Sequence, residues 1–247
     1  MDKRDLPLRG LRIQWDQVPQ DSYLRGIPAL NRLEGLDFKR PVTLFCGENG
    51  TGKSTLLEAA AVALGYNAEG GTRNFRFSTY QDVSTLHQAV RLIRGAQWSG
   101  AGYFFRAETF FNVSTAIMER YNDDGVLPDY HSRSHGESFL SFMQDRSRPG
   151  LCLMDEPEAA LSPQRQLSLL LLLYRMAGQG SQFLIATHSP IILGIPEADI
   201  LCFDDTGVHP VAYEETESYQ VTRSFVTRRE QMLRLLLDEE DGQGNAD

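Results

Sequence analysis

The sequence predicts an α/β fold with a mainly parallel sheet and a small helical lobe. Two observations support this prediction. First, apolar runs of strand length alternate with apolar segments of helical length. Buried parallel strands read as near-continuous apolar runs because helices cover both faces of their sheet. Second, a glycine-rich stretch lies between one apolar run and one helical segment, which is the order strand, loop, helix.

The glycine-rich stretch fits the pattern G-x-x-x-x-G-K-[ST], with the apolar run Val42–Cys46 before it and the apolar segment Leu56–Leu64 after it. Its glycines allow consecutive backbone N–H groups to face phosphate oxygens, and the helix adds the positive end of its dipole. A chance glycine-rich turn is disfavoured because both flanking elements are present. The predicted nucleotide-binding residues are Gly47, Glu48, Asn49, Gly50, Thr51, Gly52, Lys53, Ser54 and Thr55. Lys53 is expected to reach the β- and γ-phosphates, and the Ser54 hydroxyl is expected to ligate Mg²⁺.

The remaining elements follow from periodicity and breakers. Residues 16–35 are predicted to be a loop because they contain Pro19, Gly26 and Pro28. Leu86, Ala89, Val90 and Ile93 recur at helical spacing and predict a short helix that ends at Gly95. Strands are predicted at 11–15, 42–46, 103–111, 151–154, 183–187, 200–204 and 207–213, and further helices at 166–176 and 218–237.

The length of 247 residues and the hydrophobic content of 41% suit one domain over residues 1–237. A helical lobe is predicted at about 66–148, between the glycine-rich loop and the apolar run Leu151–Met154. The acidic residues 238–247 are predicted to be a disordered tail.

Composition also limits the class of protein. No apolar run approaches the ~20 residues needed to cross a bilayer, and the first residues do not resemble a secretory signal. Cys46, Cys152 and Cys202 each lie in an apolar run, which predicts buried free thiols and a cytoplasmic location without membrane insertion. The net charge of −9 argues against nucleic-acid binding by bulk electrostatics, although a local basic patch stays open.

Polar side chains follow two of the predicted strands, at the edge of a parallel sheet where ligands bind. Asp155 ends one apolar run and is expected to hold Mg²⁺, usually through water, while Glu156 follows directly and is placed to polarise an attacking water. His188 ends the next apolar strand and is predicted to contact the γ-phosphate. A structural role is the alternative for His188, since a lone histidine at a strand end is more often structural.

The order and spacing of these motifs resemble the ABC-type ATPases, and within them the SMC/RecF-like branch. The loop at 47–55 corresponds to the Walker A motif, Leu151–Glu156 to Walker B, and His188 to the switch histidine. The run Asp-Glu-Pro-Glu with Leu-Ser-Pro, followed by Ala-Thr-His-Ser-Pro, looks most like small stand-alone predicted ATPases of bacteria. The resemblance implies a Mg²⁺-dependent ATPase.

A signature-like segment extends the resemblance. Ser134, His135, Gly136 and Glu137 stand where the class has Ser-Gly-Gly-Gln or Ser-Gly-Gly-Glu. The resemblance implies that Ser134 and the Gly136 backbone contact the γ-phosphate bound to the opposite subunit. The alternative is a helix cap in which Ser134 and Glu137 form a capping box.

Three positions depart from the class. His135 replaces a signature glycine, and Ser162 stands where the class often has the aspartate of its D-loop. The Q-loop glutamine is missing, and Arg106 or Glu108 is the candidate replacement.

Tyr23 is a candidate for stacking on adenine, with a packed or surface tyrosine as the alternative.

The resemblance implies that ATP joins two chains head to tail, and that hydrolysis releases this homodimer to switch an unidentified protein partner. One alternative is an ATPase linked to DNA repair or defence with a separate effector. Another is the ATP-binding subunit of a membrane transporter, which the signature-like segment and the missing glutamine disfavour. A metabolic kinase is disfavoured because a general-base glutamate beside the metal aspartate suits water as the nucleophile.

Overall fold

A computed structural model of the chain describes residues 6–72, 84–96, 98–107, 109, 140, 143, 149–159 and 161–243. In chain order its strands are β1 (Leu8–Ile13), β2 (Gly35–Asp37), β3 (Val42–Cys46), β4 (Val90–Arg94), β5 (Gly102–Arg106), β6 (Leu151–Asp155), β7 (Gln182–Ala186), β8 (Asp199–Asp204) and β9 (Gly207–Pro210). Its α-helices are α1 (Pro28–Asn31), α2 (Lys53–Leu64), α3 (Leu86–Ala89), α4 (Pro163–Gly178), α5 (Pro190–Leu193) and α6 (Glu217–Gln243). Short 3₁₀ helices span Trp15–Gln17, Tyr23–Gly26 and Tyr213–Glu215.

The larger sheet has six strands in the order β5-β6-β7-β3-β8-β9. The pairs from β5 through β8 are all parallel, and β9 returns antiparallel to β8. This arrangement confirms the predicted mainly parallel α/β sheet. The central position of β3 places the glycine-rich loop that follows it at the middle of the carboxyl edge of the sheet.

Side chains of the larger sheet alternate between two hydrophobic cores. Phe45, Leu153 and Leu184 face one core together with α2 and β1, whereas Leu44 and Met154 face the other. The second core also contains Leu169 and Leu173 of α4 and Ile192 and Leu193 of α5. Because both faces are covered, the central strands are apolar at consecutive positions, as the sequence pattern indicated.

A smaller antiparallel sheet, in the order β2-β1-β4, was not predicted. It corrects the helix predicted from Leu86 to Gly95, because only Leu86–Ala89 is helical and Val90–Arg94 is a strand. Val90 pairs with Ile13 of β1 in this sheet. Pairing with a distant strand therefore overrides a local helical spacing, which is a weak signal when β-branched residues contribute to it.

The other elements extend or shorten the predicted ones. The first strand begins and ends earlier than predicted, and residues 16–35 contain two 3₁₀ helices and α1 instead of a continuous loop. The helix predicted at 166–176 spans Pro163–Gly178. α6 continues to Gln243, so residues 238–243 differ from the predicted disordered tail. Acidic residues can extend a helix that earlier turns have already nucleated.

The interval at 66–148, predicted as a helical lobe, is described only in part. Its described residues include β4 and β5, one in each sheet.

All three cysteines are free thiols, and Cys46 and Cys152 are buried. Burial is the main cause that raises the pKa of Cys46 to about 12, so this thiol stays protonated. Among the described residues, no helix combines the length and the apolar character needed to span a bilayer.

Candidate functional site

Four parallel strands bring their last residues to one edge of the larger sheet. Ala186 of β7 is in register with Phe45 of β3 and with Asp155 of β6, and Asp155 is in register with Arg106 of β5. The groups that end these strands therefore lie side by side, although they are far apart in sequence. The structure thus brings the predicted loop, carboxylates and histidine together at one site.

The glycine-rich loop depends on two glycines that no other residue can replace without strain. Gly47 has φ 128°, and a Cβ atom there would lie 2.1 Å from the Phe203 carbonyl oxygen of β8. Gly52 has φ 96°, and its Cβ would lie 2.6 Å from Leu30 Cγ of α1. The loop is therefore held between β8 and α1, with a backbone conformation that favours glycine. Phosphate binding by this loop stays a prediction.

Lys53 is the first residue of α2 and its cation lies within the loop. The side chain is 4% exposed, and Nζ donates hydrogen bonds to the carbonyls of Gly47 at 2.7 Å and Glu48 at 2.6 Å. Burial is the largest cause that lowers the pKa of Lys53, and the carboxylates of Glu156 and Asp155 oppose that shift. A poorly solvated cation favours an anionic ligand, which is what a triphosphate would supply.

Ser54 connects the loop to the strand end of β6. Its Oγ donates a hydrogen bond of 2.8 Å to Asp155 Oδ1. Burial is the largest cause that raises the pKa of the Asp155 carboxyl, while the bonds from Ser54 and Arg106 lower it. Hydroxyl and carboxylate oxygens are hard ligands of the kind that Mg²⁺ prefers. The donor set of Ser54 and Asp155 therefore fits the predicted metal site.

Arg106 lies on the other side of Asp155 and is one of the two candidates for the missing Q-loop glutamine. Its Nε is 3.3 Å from Asp155 Oδ2, and its Nη1 is 2.9 Å from Glu58 Oε2. Burial works against the charged guanidinium, but the two carboxylates outweigh it and raise the pKa of Arg106 above its ordinary value. Of the two candidates for the missing glutamine, the described residues therefore bring Arg106 to the site, whereas Glu108 lies outside them.

Glu156 has an unusual backbone conformation for a residue with a side chain. Its φ is 49°, in the left-handed region, and its N–H donates to the Ala186 carbonyl at 2.9 Å. Such strain is concentrated at functional sites. The carboxylate is half exposed, and its Oε1 lies 3.8 Å from His188 Nε2. The strained turn therefore holds Glu156 beside the predicted histidine and open to water.

His188 Nε2 is buried and forms no hydrogen bond with any residue that the structure describes. A buried ring nitrogen with spare hydrogen-bonding capacity fits a ligand contact at this edge. The role of His188 toward the γ-phosphate stays a prediction.

Glu158 is a residue that sequence reasoning missed. Its Oε1 accepts three hydrogen bonds, from Thr187 Oγ1 at 2.7 Å, from His188 N at 2.7 Å and from Ser189 N at 3.1 Å. Ser189 in turn caps α5 and donates to Gln166 Oε1 at 2.6 Å. The carboxylate thus fixes the backbone on which His188 is carried.

Replacing Glu158 by alanine is expected to lower the free energy of unfolding by about 1–3 kcal/mol, because several donors lose a charged acceptor. ATP hydrolysis is expected to fall by roughly tenfold as His188 loses its fixed position. Urea unfolding and phosphate release measure the two effects. Glu230→Ala, at an exposed position on α6, is the matched control. Equal stability of the two variants would contradict the anchoring role.

Some predicted residues lie outside the described part of the chain. Ser134, Gly136 and Glu137 of the signature-like segment are among them, as is Glu108. Tyr23 is described and is 64% exposed, in the 3₁₀ helix ahead of α1. Its exposure agrees with a surface tyrosine, and stacking on adenine stays a prediction.

The missed residues had weak signals in the sequence. Glu58 and Glu158 are charged residues within or beside apolar stretches, and this context indicates a paired buried charge. Their partners, Arg106 and the backbone around His188, are distant in sequence, so only the folded chain identifies them.

A mainly parallel sheet with a phosphate loop between its strand β3 and the following helix is the fold of the P-loop nucleoside triphosphatases. Two family models match the sequence. The model described as "AAA domain" matches residues 23–122, and the model described as "AAA domain, putative AbiEii toxin, Type IV TA system" matches residues 138–194. The first range contains the phosphate loop, and the second contains Asp155, Glu156 and His188. The matches support an ATP-binding ATPase of the AAA/ABC type, as the resemblance predicted.

The chain is also similar to solved structures, at low identity. The SMC head domain from Thermotoga maritima is 14% identical, with 84% of this chain and 100% of that chain covered and a TM-score of 0.47. CbiO1 from Clostridium perfringens, part of the ABC transporter complex cbiONQ, is 17% identical, with 82% and 90% covered and a TM-score of 0.44. The fold assignment rests on strand order and the phosphate loop, not on these values. A comparison with curated proteins gives no match.

Proposed function

We propose that the chain binds Mg-ATP and hydrolyses it to ADP and phosphate. The observation that carries this proposal is the 2.8 Å hydrogen bond from Ser54 Oγ to Asp155 Oδ1. This bond joins the residue that follows the phosphate loop to the carboxylate at the end of β6. A single Mg²⁺ ion would bind to both oxygen atoms. Lys53 would bind the β- and γ-phosphates, and the loop N–H groups would orient them. Mg²⁺, when bound, would neutralise phosphate charge.

Glu156 is proposed as the general base. Its carboxylate follows Asp155 but is half exposed, so it can accept a proton from water without being neutralised by the metal site. His188, whose Nε2 has no hydrogen-bond partner among the described residues, is proposed to hold the γ-phosphate and to sense its loss. The two adjacent carboxylates thus have different proposed roles: Asp155 holds the cation, and Glu156 activates the nucleophile.

Calorimetric titration with Mg-ATP, followed by phosphate release, tests this function on the unmodified chain. We expect saturable binding at one site per chain and slow release of phosphate. Absence of binding would overturn the proposal, and binding without hydrolysis would limit it to a nucleotide-binding role.

The proposed output is an ATP-dependent homodimer that acts on a partner protein. Ser134, the backbone of Gly136 and Glu137 would complete the nucleotide site of the second chain. Hydrolysis would then remove the γ-phosphate that joins the two chains and release the dimer. What supports this proposal is the order of the motifs in the sequence.

Ser134→Arg, made in a Glu156→Gln background, is expected to prevent dimerisation on Mg-ATP. The larger side chain would occupy the place of the γ-phosphate of the other chain. Light scattering with and without Mg-ATP measures the assembly, and Glu156→Gln alone is the control that should dimerise. ATP affinity of the monomer should change little. A double variant that still dimerises would mean that Ser134 is only a helix cap, and a dimer that needs no ATP would remove the mechanism.

A defence-linked ATPase with a separate effector is the second candidate. The family description matched by residues 138–194 names a toxin of a toxin–antitoxin system, and this favours a defence role over transport. The net charge of −9 favours a protein effector over direct nucleic-acid binding. Pull-down with Glu156→Gln in Mg-ATP, together with ATPase assays with and without DNA, separates the candidates. Stimulation by DNA would favour a nucleic-acid-linked role.

A further inference from the structure

Arg106 is a cation placed between two carboxylates at the candidate metal site. Its Nε lies 3.3 Å from Asp155 Oδ2 and its Nη1 lies 2.9 Å from Glu58 Oε2. The side chains of Asp155 and Glu58 are 7% and 10% exposed, and that of Arg106 is 22% exposed. Charge pairs with so little contact with water are screened weakly, so the guanidinium acts strongly on whatever else Asp155 binds.

Both oxygens of Asp155 have partners. Ser54 Oγ donates to Oδ1 at 2.8 Å, and Arg106 Nε donates to Oδ2. A divalent ion that approaches Ser54 and Asp155 would therefore meet a carboxylate whose charge is already compensated. It would also lie close to a positive guanidinium, which repels it. An uncharged side chain in place of Arg106 would have neither effect.

Glu58 fixes the position of the Arg106 side chain. It lies on α2, the helix that starts at the phosphate loop, and is buried. Its Oε2 accepts from Arg106, while its Oε1 accepts from the Ser84 backbone N–H at 3.1 Å. Because α2 also carries Lys53 and Ser54, the guanidinium is tied to the same rigid element as the phosphate-binding groups. Arg106 therefore has a defined place relative to the phosphates.

We propose that Arg106 makes metal binding conditional on nucleotide. It holds Asp155 through Oδ2 and weakens the binding of a divalent ion in the absence of phosphates. A triphosphate in the loop brings negative charge that compensates both the Arg106 guanidinium and the divalent ion. Metal and nucleotide therefore bind together. Arg106 is thus a positioning residue. This inference deepens the proposed function and rests on its assignment of Ser54 and Asp155 to the metal.

The test is Mn²⁺ binding to the nucleotide-free chain, followed through the electron paramagnetic resonance signal of free Mn²⁺. We expect weak binding to the unmodified chain and roughly tenfold or tighter binding to Arg106→Gln, because one positive charge beside the site is removed. Arg106→Lys keeps a cation and should bind as weakly as the unmodified chain. Arg40→Gln is the charge-matched control, since Arg40 is exposed and pairs with Asp199 on another part of the surface. It should not gain affinity.

Asp155 must be the ligand through which the gain arises. Arg106→Gln/Asp155→Asn is therefore expected to lose the gain. The inference is overturned if Arg106→Gln binds Mn²⁺ no more tightly than Arg40→Gln, or if the gain persists without the Asp155 carboxylate.

If Arg106→Gln alone fails to fold, Glu58→Gln/Arg106→Gln is compared with Glu58→Gln, so that the two variants differ only in the Arg106 charge, and the double variant should bind Mn²⁺ more tightly. Absence of the gain in that folded variant would equally overturn the inference. The readout needs neither ATP nor turnover, so a chain that fails to hydrolyse ATP would contradict the proposed function without deciding this question. Conversely, normal ATP turnover with unchanged Mn²⁺ binding in Arg106→Gln would contradict only the inference.

Discussion

Replacing Lys53 by alanine is expected to reduce ATP affinity by roughly 100-fold or more, below what calorimetry measures. Lys53 carries the cation of the loop, held by two carbonyls at 2.7 and 2.6 Å. Loss of charge-assisted hydrogen bonds to the β- and γ-phosphates removes about 3 kcal/mol of binding free energy. The backbone N–H groups of the loop remain, but they carry no full charge.

Lys39→Ala is the matched control for this prediction. Lys39 is exposed and lies between β2 and β3, so its removal changes the net charge equally without touching the loop. Isothermal titration with Mg-ATP compares the two variants. Unchanged binding by Lys53→Ala would contradict the phosphate-loop assignment, and an equal loss in both variants would indicate a general charge effect.

Glu156→Gln is expected to lower the rate of ATP hydrolysis by roughly 100-fold or more while ATP still binds. Glutamine keeps the size and hydrogen bonding of the side chain but cannot accept a proton from water. The strained backbone at φ 49° is unaffected, because the substitution leaves the main chain unchanged. The loss should therefore appear in kcat and not in the affinity for nucleotide.

Single-turnover phosphate release and a parallel binding titration distinguish these two effects. Glu34→Gln is the control, since Glu34 is exposed and precedes β2. A Glu156→Gln variant that turns over at the unmodified rate would exclude Glu156 as the base. A variant that no longer binds ATP would point to a structural role for this carboxylate.

The sequence predicted the parts of this protein that are encoded locally. Apolar residues at consecutive positions identify β3, β6 and β7. A strand that is covered on both faces needs apolar side chains on both, so apolar and polar residues do not alternate along it. The loop from Gly47 to Lys53 is recognisable because its glycines and its lysine follow a fixed local spacing. The predictions for Asp155, Glu156 and His188 rest on the rule that strand ends meet at one edge, and the register of β6 and β7 places them there.

The sequence did not predict the smaller sheet. Val90 and Ile93 repeat at a helical spacing, yet they lie in β4, because β1 offers backbone partners to this segment. Periodicity over a few residues cannot distinguish the two outcomes, and pairing with a distant strand decides between them.

The sequence alone thus determined the apolar strands and the position of the carboxylates and the histidine at the strand ends. The partners of the buried and partly buried charges were decided only by the tertiary structure. Arg106 meets Glu58 and Asp155, and Glu158 meets the backbone around His188, across separations that no motif spans. The physical reason is that a buried charge must find a partner or lose its charge, and the partner is whichever group the fold brings within hydrogen-bonding distance.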